Sequence, residues 1–211
     1  MAFEELAGFP GLAVRYDPAE HPYFKQIVIE NLTLLRGKDI GMQLLREIAT
    51  ARPASRGDFP DGINVVLEPF TLHYAPAGHS LQKFYDLDGN ESVTGVRPSD
   101  NPLASPPGCR FHIQGTSANV AVDPAASNLG GTVCRLRFSN AQVMQVDGAP
   151  CWPHITLAHE LIHALHSVTG RRHDTDEENW TTGVGAYAAE PMCENAFREA
   201  FGLPRRDRYG I

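Results

Sequence analysis

Residues 153–170 have the sequence Pro-His-Ile-Thr-Leu-Ala-His-Glu-Leu-Ile-His-Ala-Leu-His-Ser-Val-Thr-Gly. A proline at the start and Gly170 at the end are typical of the first turn and the C-terminal stop of an α-helix. Apolar side chains cover nearly all of the circumference, and the ionisable side chains share the one remaining strip. A helix this apolar is predicted to be buried, so the groups on its polar strip need partners.

The polar strip contains the sequence His159-Glu160-Leu161-Ile162-His163. Residues four apart on a helix lie about 40° apart around the axis and about 6 Å along it, so both imidazoles can close on one zinc ion. Glu160 points about 100° away from His159 but stays on the metal side, where it can take a proton from a zinc-bound water. The motif predicts a Zn²⁺ site with Glu160 as general base. The alternative is a cluster of structural histidines satisfied by hydrogen bonds.

A catalytic zinc site needs a third protein ligand and one open position for water. Glu194 begins a predicted helix beside its apolar stripe, so its carboxylate can turn towards the core. Glu199 borders the opposite edge of that stripe, so the helical wheel does not decide between the two. Glu177 or Glu178 is the alternative ligand, and Glu178, which precedes a glycine-rich loop, can instead orient a ligand histidine. The candidates are Asp174, Asp176, Glu177, Glu178, Glu190, Glu194 and Glu199, with Glu194 preferred.

Length and composition exclude several classes of protein. The chain has 211 residues, 42% hydrophobic and 20% charged, which suits one compact domain with a real core rather than a disordered chain. No apolar run approaches the roughly 20 residues of a membrane-spanning helix. The formal net charge of −7 argues against a general nucleic-acid binder. The acidic N-terminus lacks a basic stretch followed by an apolar core, so no Sec signal peptide is expected.

The four cysteines are scattered without a CxxC pair: Cys109, Cys134, Cys151 and Cys193. This spacing indicates neither a zinc knuckle nor a dense disulfide framework. Reduced, mostly buried thiols are predicted, which fits a chain that works in a reducing cytosol.

Hydrophobic periodicity predicts an α+β domain that spans residues 1–211. Apolar residues recur with helical spacing over 24–36, and a second helix is predicted over 39–49, so that 1–55 holds a helical hairpin. Short β-prone segments bounded by Gly, Pro or Asp follow in 60–150 and predict a small, mainly antiparallel sheet: 63–69, 81–87, 109–114, 119–123 and 132–138. The proline-rich segment 97–108 is predicted to be a loop and 86–91 a turn. Residues 153–211 hold the zinc-site helices, 153–169 and 192–201, and the C-terminal segment.

The C-terminal half resembles the NleD-like family of zinc metalloprotease effectors, which bacteria inject into host cells by type III secretion. The resemblance covers about 115–210 and is weak before that. It rests on His-Glu-Leu-Ile-His-Ala-Leu-His, Gly170, Glu177-Glu178, Thr182-Gly183-Val184, Glu194-Asn195, Arg198 and Gly202-Leu-Pro-Arg-Arg-Asp-Arg-Tyr209. It also includes the upstream segment 115–124.

The resemblance implies a zincin-like fold with a gluzincin-type site, in which His159, His163 and a downstream glutamate bind zinc. Glu194 lies 31 residues after His163, a separation similar to that in the clostridial neurotoxin proteases. Those proteases carry an Arg-x-x-Tyr pair that stabilises the oxyanion, and Arg206 and Tyr209 have the same spacing. The alternative for these two residues is a disordered basic tail.

Members of the family cut stress-activated MAP kinases, so the resemblance implies a host signalling protein as substrate and delivery into the host cytosol. A monomer without nucleic-acid or membrane partners is expected. A second hypothesis is a binding protein that sequesters a host partner, with a structural zinc held by four protein ligands that include His166 or His173. A third is a zinc hydrolase that does not act on peptides, for which the sequence offers no substrate-pocket signature.

Overall fold

The structure is a computed structural model, and it describes part of the chain. The described residues are 1–56, 59–69, 71–73, 75–76, 81–85, 91–95, 109–110, 118–119, 130–138, 144–146, 149–172 and 176–209. The proline-rich segment 97–108 and most of the turn predicted at 86–91 lie outside these residues, so both stay predictions.

Helices and strands are both present, which confirms the predicted α+β class. The helices are α1 (Phe24–Arg36), α2 (Asp39–Thr50), α3 (Pro153–Val168), α4 (Glu177–Thr182) and α5 (Glu194–Ala200). The strands are β1 (Ala2–Glu5), β2 (Leu12–Tyr16), β3 (Val65–Pro69), β4 (Thr71–His73), β5 (Ala75–Pro76), β6 (Leu81–Tyr85), β7 (Glu91–Gly95), β8 (Cys109–Arg110), β9 (Ala118–Asn119), β10 (Cys134–Phe138), β11 (Met144–Val146) and β12 (Ala149–Cys151).

The largest described sheet has five strands in the order β1-β2-β3-β10-β9. Its two outer pairs are antiparallel, but β2–β3 and β3–β10 are parallel. This differs from the sequence prediction in two ways, because β1 and β2 precede the helical hairpin and the centre of the sheet is parallel. The α1–α2 hairpin explains the second difference: it is the crossover that brings β3 back alongside β2 in the same direction. The smaller sheets, β4-β6-β7, β5-β8 and β11-β12, are antiparallel.

Helix α3 packs on one face of the central strands, and every residue from Leu157 to Val168 is buried. Its far end is fixed to the sheet by a hydrogen bond from the Thr132 N–H to the Ser167 carbonyl at 3.1 Å. Gly131 permits this approach, since it has a φ of +87° and an added Cβ would lie 2.1 Å from the Val168 oxygen. Apolar side chains of α1, α2 and α5 join the same core. The core thus leaves one side of α3, its polar strip, to face α4 and α5.

Two further predictions concern membrane insertion and the cysteines. Within the described part of the chain, no helix combines the length and the apolar character that crossing a bilayer requires. The described side chains of Cys134 and Cys193 are free thiols and are buried.

Candidate metal centre

Three segments meet at the polar strip of α3. Helix α3 contributes three histidines, α4 contributes two adjacent glutamates, and α5 and the segment after it contribute a glutamate, two arginines and a tyrosine. These residues are His159, His163, His166, Glu177, Glu178, Glu194, Arg198, Arg206 and Tyr209.

Three side-chain atoms converge between α3 and α4. The Nε2 atoms of His159 and His163 are 3.1 Å apart, and the Oε2 of Glu178 lies 3.3 Å from the first and 3.2 Å from the second. A tetrahedral zinc ion with bonds of about 2.0–2.1 Å places its ligand atoms about 3.3 Å apart. Among the described residues, these three form the group of His, Cys, Asp or Glu side chains that could hold a metal ion. Their separations therefore fit one zinc ion.

The other ring nitrogens of the two histidines are tied to buried carboxylates. The Nδ1 of His159 lies 2.8 Å from the Oε2 of Glu194, and the Nδ1 of His163 lies 2.9 Å from the Oε1 of Glu177. Because a carboxylate can only accept, each Nδ1 carries the hydrogen, and each Nε2 of a neutral ring presents a lone pair. Three acceptor atoms then face one another, and they repel unless a proton or a metal cation lies between them. Two imidazoles and a carboxylate are ligands that zinc takes in proteins.

The pKa values of the site express the same preference for positive charge. Burial opposes the charged form of His159, but hydrogen bonds to Glu178 and Glu194 outweigh it and raise the pKa of the imidazole to about 10. Burial also opposes the charged form of Glu178, but hydrogen bonds to the two histidines hold its pKa well below its usual range. The carboxylate of Glu178 thus stays ionised beside the two Nε2 atoms.

Glu194 is fully buried and is surrounded by positive groups. Its Oε1 accepts a hydrogen bond from the Nε of Arg198 at 2.6 Å, and its Oε2 accepts one from the Nη1 of Arg206 at 3.0 Å. Burial opposes ionisation, but the hydrogen bond to His159 and the charges of His159, Arg206 and Arg198 lower the pKa of Glu194 to about 2. Glu194 therefore acts as a fixed negative charge behind the ring of His159.

Glu194 and Glu178 lie on opposite sides of the His159 ring. The sequence favoured Glu194 as third ligand, yet its carboxylate contacts Nδ1, while Glu178, an alternative, lies at the converging Nε2 atoms. The end of α4 contributes to this placement: Gly183 has a φ of +77°, and an added Cβ would lie 2.3 Å from the Sγ of Cys193. Only glycine allows α4 to end this close to the start of α5.

The remaining candidate ligands are not brought to the convergence point. Asp176 and Glu199 are exposed. The Oε2 of Glu190 accepts a hydrogen bond from the Trp180 Nε1 at 2.9 Å. Asp174 and His173 lie outside the described residues. His166 is buried, and its Nδ1 lies 2.7 Å from the Oε1 of Glu177.

Glu160 is buried on the same side of α3 as the two imidazoles. Its charge helps to raise the pKa of His159 and of His163, and it also raises the pKa of the Tyr209 phenol. The Glu160 carboxylate is therefore close enough to His159, His163 and Tyr209 for its charge to act on all three.

The C-terminal segment is held over the site by α5. The Asn195 amide grips the main chain of Arg206, since its Oδ1 accepts from the Arg206 N–H at 2.7 Å and its Nδ2 donates to the Arg206 carbonyl at 2.9 Å. The Tyr209 ring lies parallel to the His159 ring, 6.2 Å between centroids, and burial and the nearby Glu178 carboxylate raise the pKa of its phenol. The Arg206 guanidinium lies 5.3 Å from the centre of the Tyr209 ring. Arg206 and Tyr209 thus contact α5 and the His159 ring.

Sequence reasoning gave no individual role to several residues that support the site. Arg198 holds Glu194, and Asn195 holds the C-terminal segment. The i, i+4 spacing of Glu194 and Arg198 was a sequence signal for the first of these two contacts. Trp180 stacks on His166 with 3.6 Å between ring centroids and 6° between planes. Nothing in the sequence pattern points to this stack, because it joins two helices across a loop.

Solved structures similar to this chain include three botulinum neurotoxin light chains or catalytic domains. The botulinum neurotoxin type D light chain is 20% identical with a TM-score of 0.46, and the match covers 89% of this chain and 51% of that one. The Clostridium botulinum serotype F light chain is 19% identical with a TM-score of 0.36, covering 73% and 37%. The catalytic domain of the Clostridium botulinum serotype F neurotoxin is 18% identical with a TM-score of 0.40, covering 88% and 48%.

The matched region spans about half the length of these light chains or less. No protein-family model matches the sequence, and no curated protein matches it. The chemistry proposed for the site therefore rests on its own side chains.

Removing the charge of Glu194 is predicted to lower stability more than removing the charge of Glu178, because Glu194 is more deeply buried. The Glu194 side chain is 2% exposed and is paired with two buried arginines, whereas the Glu178 side chain is 46% exposed. Glu194→Gln is expected to lower the free energy of unfolding of the metal-free protein by about 3–5 kcal/mol, because it leaves buried positive charge uncompensated. Glu178→Gln is expected to cost less than about 1 kcal/mol. Urea unfolding after treatment with a chelator measures the free energy of unfolding of both variants. Equal losses would contradict the inference that Glu194 compensates buried positive charge.

Proposed function

We propose that the chain is a zinc-dependent endopeptidase whose metal is held by His159, His163 and Glu178. The single observation that carries the proposal is the convergence of three acceptor atoms at 3.1–3.3 Å. The resemblance of the motif and of the C-terminal Arg-x-x-Tyr to the NleD-like effectors supports the same activity. In this assignment Glu194 orients His159 from behind and is not a ligand.

The number of donors favours an enzyme over a binding protein with a structural zinc. Structural zinc sites usually have four protein ligands, whereas catalytic sites have three and keep one position open. The convergent group among the described residues has three members. The half-exposed side chain of Glu178 opens one side of the site to solvent.

The residues of the chain divide the work of peptide hydrolysis. Zinc, when bound, supplies a Lewis acid that polarises the scissile carbonyl and makes water more acidic. Glu160 takes the proton of the attacking water as the new C–O bond forms, and returns it to the amide nitrogen as the C–N bond breaks. The Tyr209 phenol, whose pKa is raised by burial and by nearby carboxylates, stays protonated and donates to the oxyanion. Arg206 contributes indirectly, because its guanidinium is directed at Glu194 and lies against the Tyr209 ring.

The substrate and setting follow from the resemblance alone. We propose a bacterial effector that reaches the cytosol of a host cell by type III secretion and cleaves a host signalling protein of the MAP kinase class. It would act there as a monomer.

The ligand assignment predicts a ranking of zinc affinities. Glu178→Ala removes a ligand and is expected to weaken zinc binding by more than about 100-fold, because a ligand contributes more than an orienting group. Glu194→Gln keeps all three ligands and is expected to lose about 10–100-fold at most. Competition with a chromogenic chelator measures both. The reverse ranking would assign the ligand role to Glu194.

Glu160→Gln separates the chemistry from metal binding. This variant is expected to bind zinc as the wild-type chain does, because Glu160 is not part of the three-donor group, and to lose proteolysis by removal of the base. The measurement is incubation with host-cell lysate, with and without a chelator, followed by mapping of newly formed protein N-termini. Cleavage retained by the variant would refute the assignment of the base. A zinc-replete wild-type chain that produces no new N-termini would favour the binding protein.

Tyr209→Phe tests the oxyanion donor. It is expected to reduce kcat on a mapped substrate by about 100–1,000-fold, because one transition-state hydrogen bond is lost, with zinc affinity unchanged. Tyr23→Phe is the matched control, since Tyr23 is 69% exposed at the start of α1. A Tyr209→Phe enzyme as fast as this control would remove Tyr209 from the reaction.

A further inference from the structure

One carboxylate oxygen lies between His163, a ligand in the proposed zinc site, and a second buried histidine, His166. The Oε1 of Glu177 lies 2.9 Å from the Nδ1 of His163 and 2.7 Å from the Nδ1 of His166. Both nitrogens face the same acceptor, so both carry a hydrogen and donate to it. The Thr181 hydroxyl adds a third, longer donor at 3.4 Å. Glu177 is thus fixed from several directions.

His166 is itself held in one orientation by an aromatic stack. Its ring lies on Trp180 with 3.6 Å between centroids and 6° between planes, and Trp180 in turn donates from Nε1 to the Oε2 of Glu190 at 2.9 Å. The stack fixes the plane of the imidazole, and the plane fixes the direction of its Nδ1–H towards Glu177. Trp180 follows Glu177 by three residues in α4, so one helical turn carries both contacts.

His166 lies outside the group of three convergent donors, and its side chain is 3% exposed, so it does not reach a substrate. Burial of an imidazole has a cost unless its hydrogen bonds are made. The bond that it makes is to the carboxylate that sets the ring of His163. A carboxylate bonded directly to a metal-binding histidine, as Glu177 is in the proposed site, typically raises metal affinity by about 10–100-fold, because it fixes the tautomer and orientation of the ligand.

We infer that His166 and Trp180 are positioning residues for the zinc ligand His163, and that they act through Glu177. This inference rests on the proposed zinc site and adds to it a chain of contacts from α4 to the metal. The Nδ1–H of His166, which donates to Glu177, carries the effect on zinc affinity. The stack with Trp180 keeps this N–H directed at Glu177.

Two substitutions at His166 separate the donor from the ring. His166→Phe keeps an aromatic ring for Trp180 and loses the N–H, whereas His166→Asn keeps an amide N–H near the place of Nδ1 and loses the ring. We expect zinc affinity to fall by about 10–100-fold in His166→Phe and by only a few-fold in His166→Asn. If His166 serves packing alone, the order reverses, because Phe preserves the stack and Asn does not.

The experiment measures zinc affinity by chelator competition and the absorption bands of the cobalt-substituted protein, which report the geometry of the ligands. Trp180→Leu is the third variant. Trp180 is half-buried, and its replacement removes the aromatic stack but leaves the Nδ1–H of His166 in place. We expect it to weaken zinc binding several-fold and to shift the cobalt bands, and this variant decides the question if His166→Phe does not fold. Wild-type affinity in these variants would overturn the inference and leave the zinc site intact. A wild-type chain that binds no zinc would overturn the proposed function itself.

Discussion

The candidate site depends on three acceptor atoms that the fold holds within 3.1–3.3 Å of one another. Such atoms repel, and the low dielectric of a buried site strengthens the repulsion. The arrangement is imposed from behind, because His159 and His163 each donate their Nδ1–H to a buried carboxylate on a different helix. Part of the packing free energy of α3, α4 and α5 therefore appears as affinity for a positive charge at the point where the three atoms meet.

Glu194 joins this constraint to the end of the chain. Its Oε2 is shared by the Nδ1 of His159 and the Nη1 of Arg206, so one oxygen holds both the His159 ring and the segment that carries Tyr209. A buried carboxylate needs compensation, and Arg198 supplies a second positive charge on the other oxygen. The orientation of His159 and the position of the Tyr209 ring are consequently parts of one hydrogen-bonded unit.

Local pattern predicted the parts of this site that lie on one helix, and not those that come from packing between elements. The bounds of α3 and the pairing of His159 with His163 follow from helical periodicity and from Pro153 and Gly170. The choice between Glu178 and Glu194 depends on how two short helices meet α3 across loops, which a helical wheel does not contain. For the same reason β1 and β2 were missed, since each is short and the parallel pairing of β2 with β3 is a property of the crossover.

The two sides of the candidate site differ in their exposure to solvent. On the buried side, the rings of His163 and His159 are held by hydrogen bonds to Glu177 and Glu194. Their positions therefore change little when a cation enters the site. On the solvent side, the Glu178 side chain is 46% exposed, and its charge, together with burial, raises the pKa of the nearby Tyr209 phenol. The phenol has one O–H and can therefore donate to a single acceptor at a time. The solvent side thus holds the groups that a molecule from solution can reach, while the buried side keeps the two imidazoles in place.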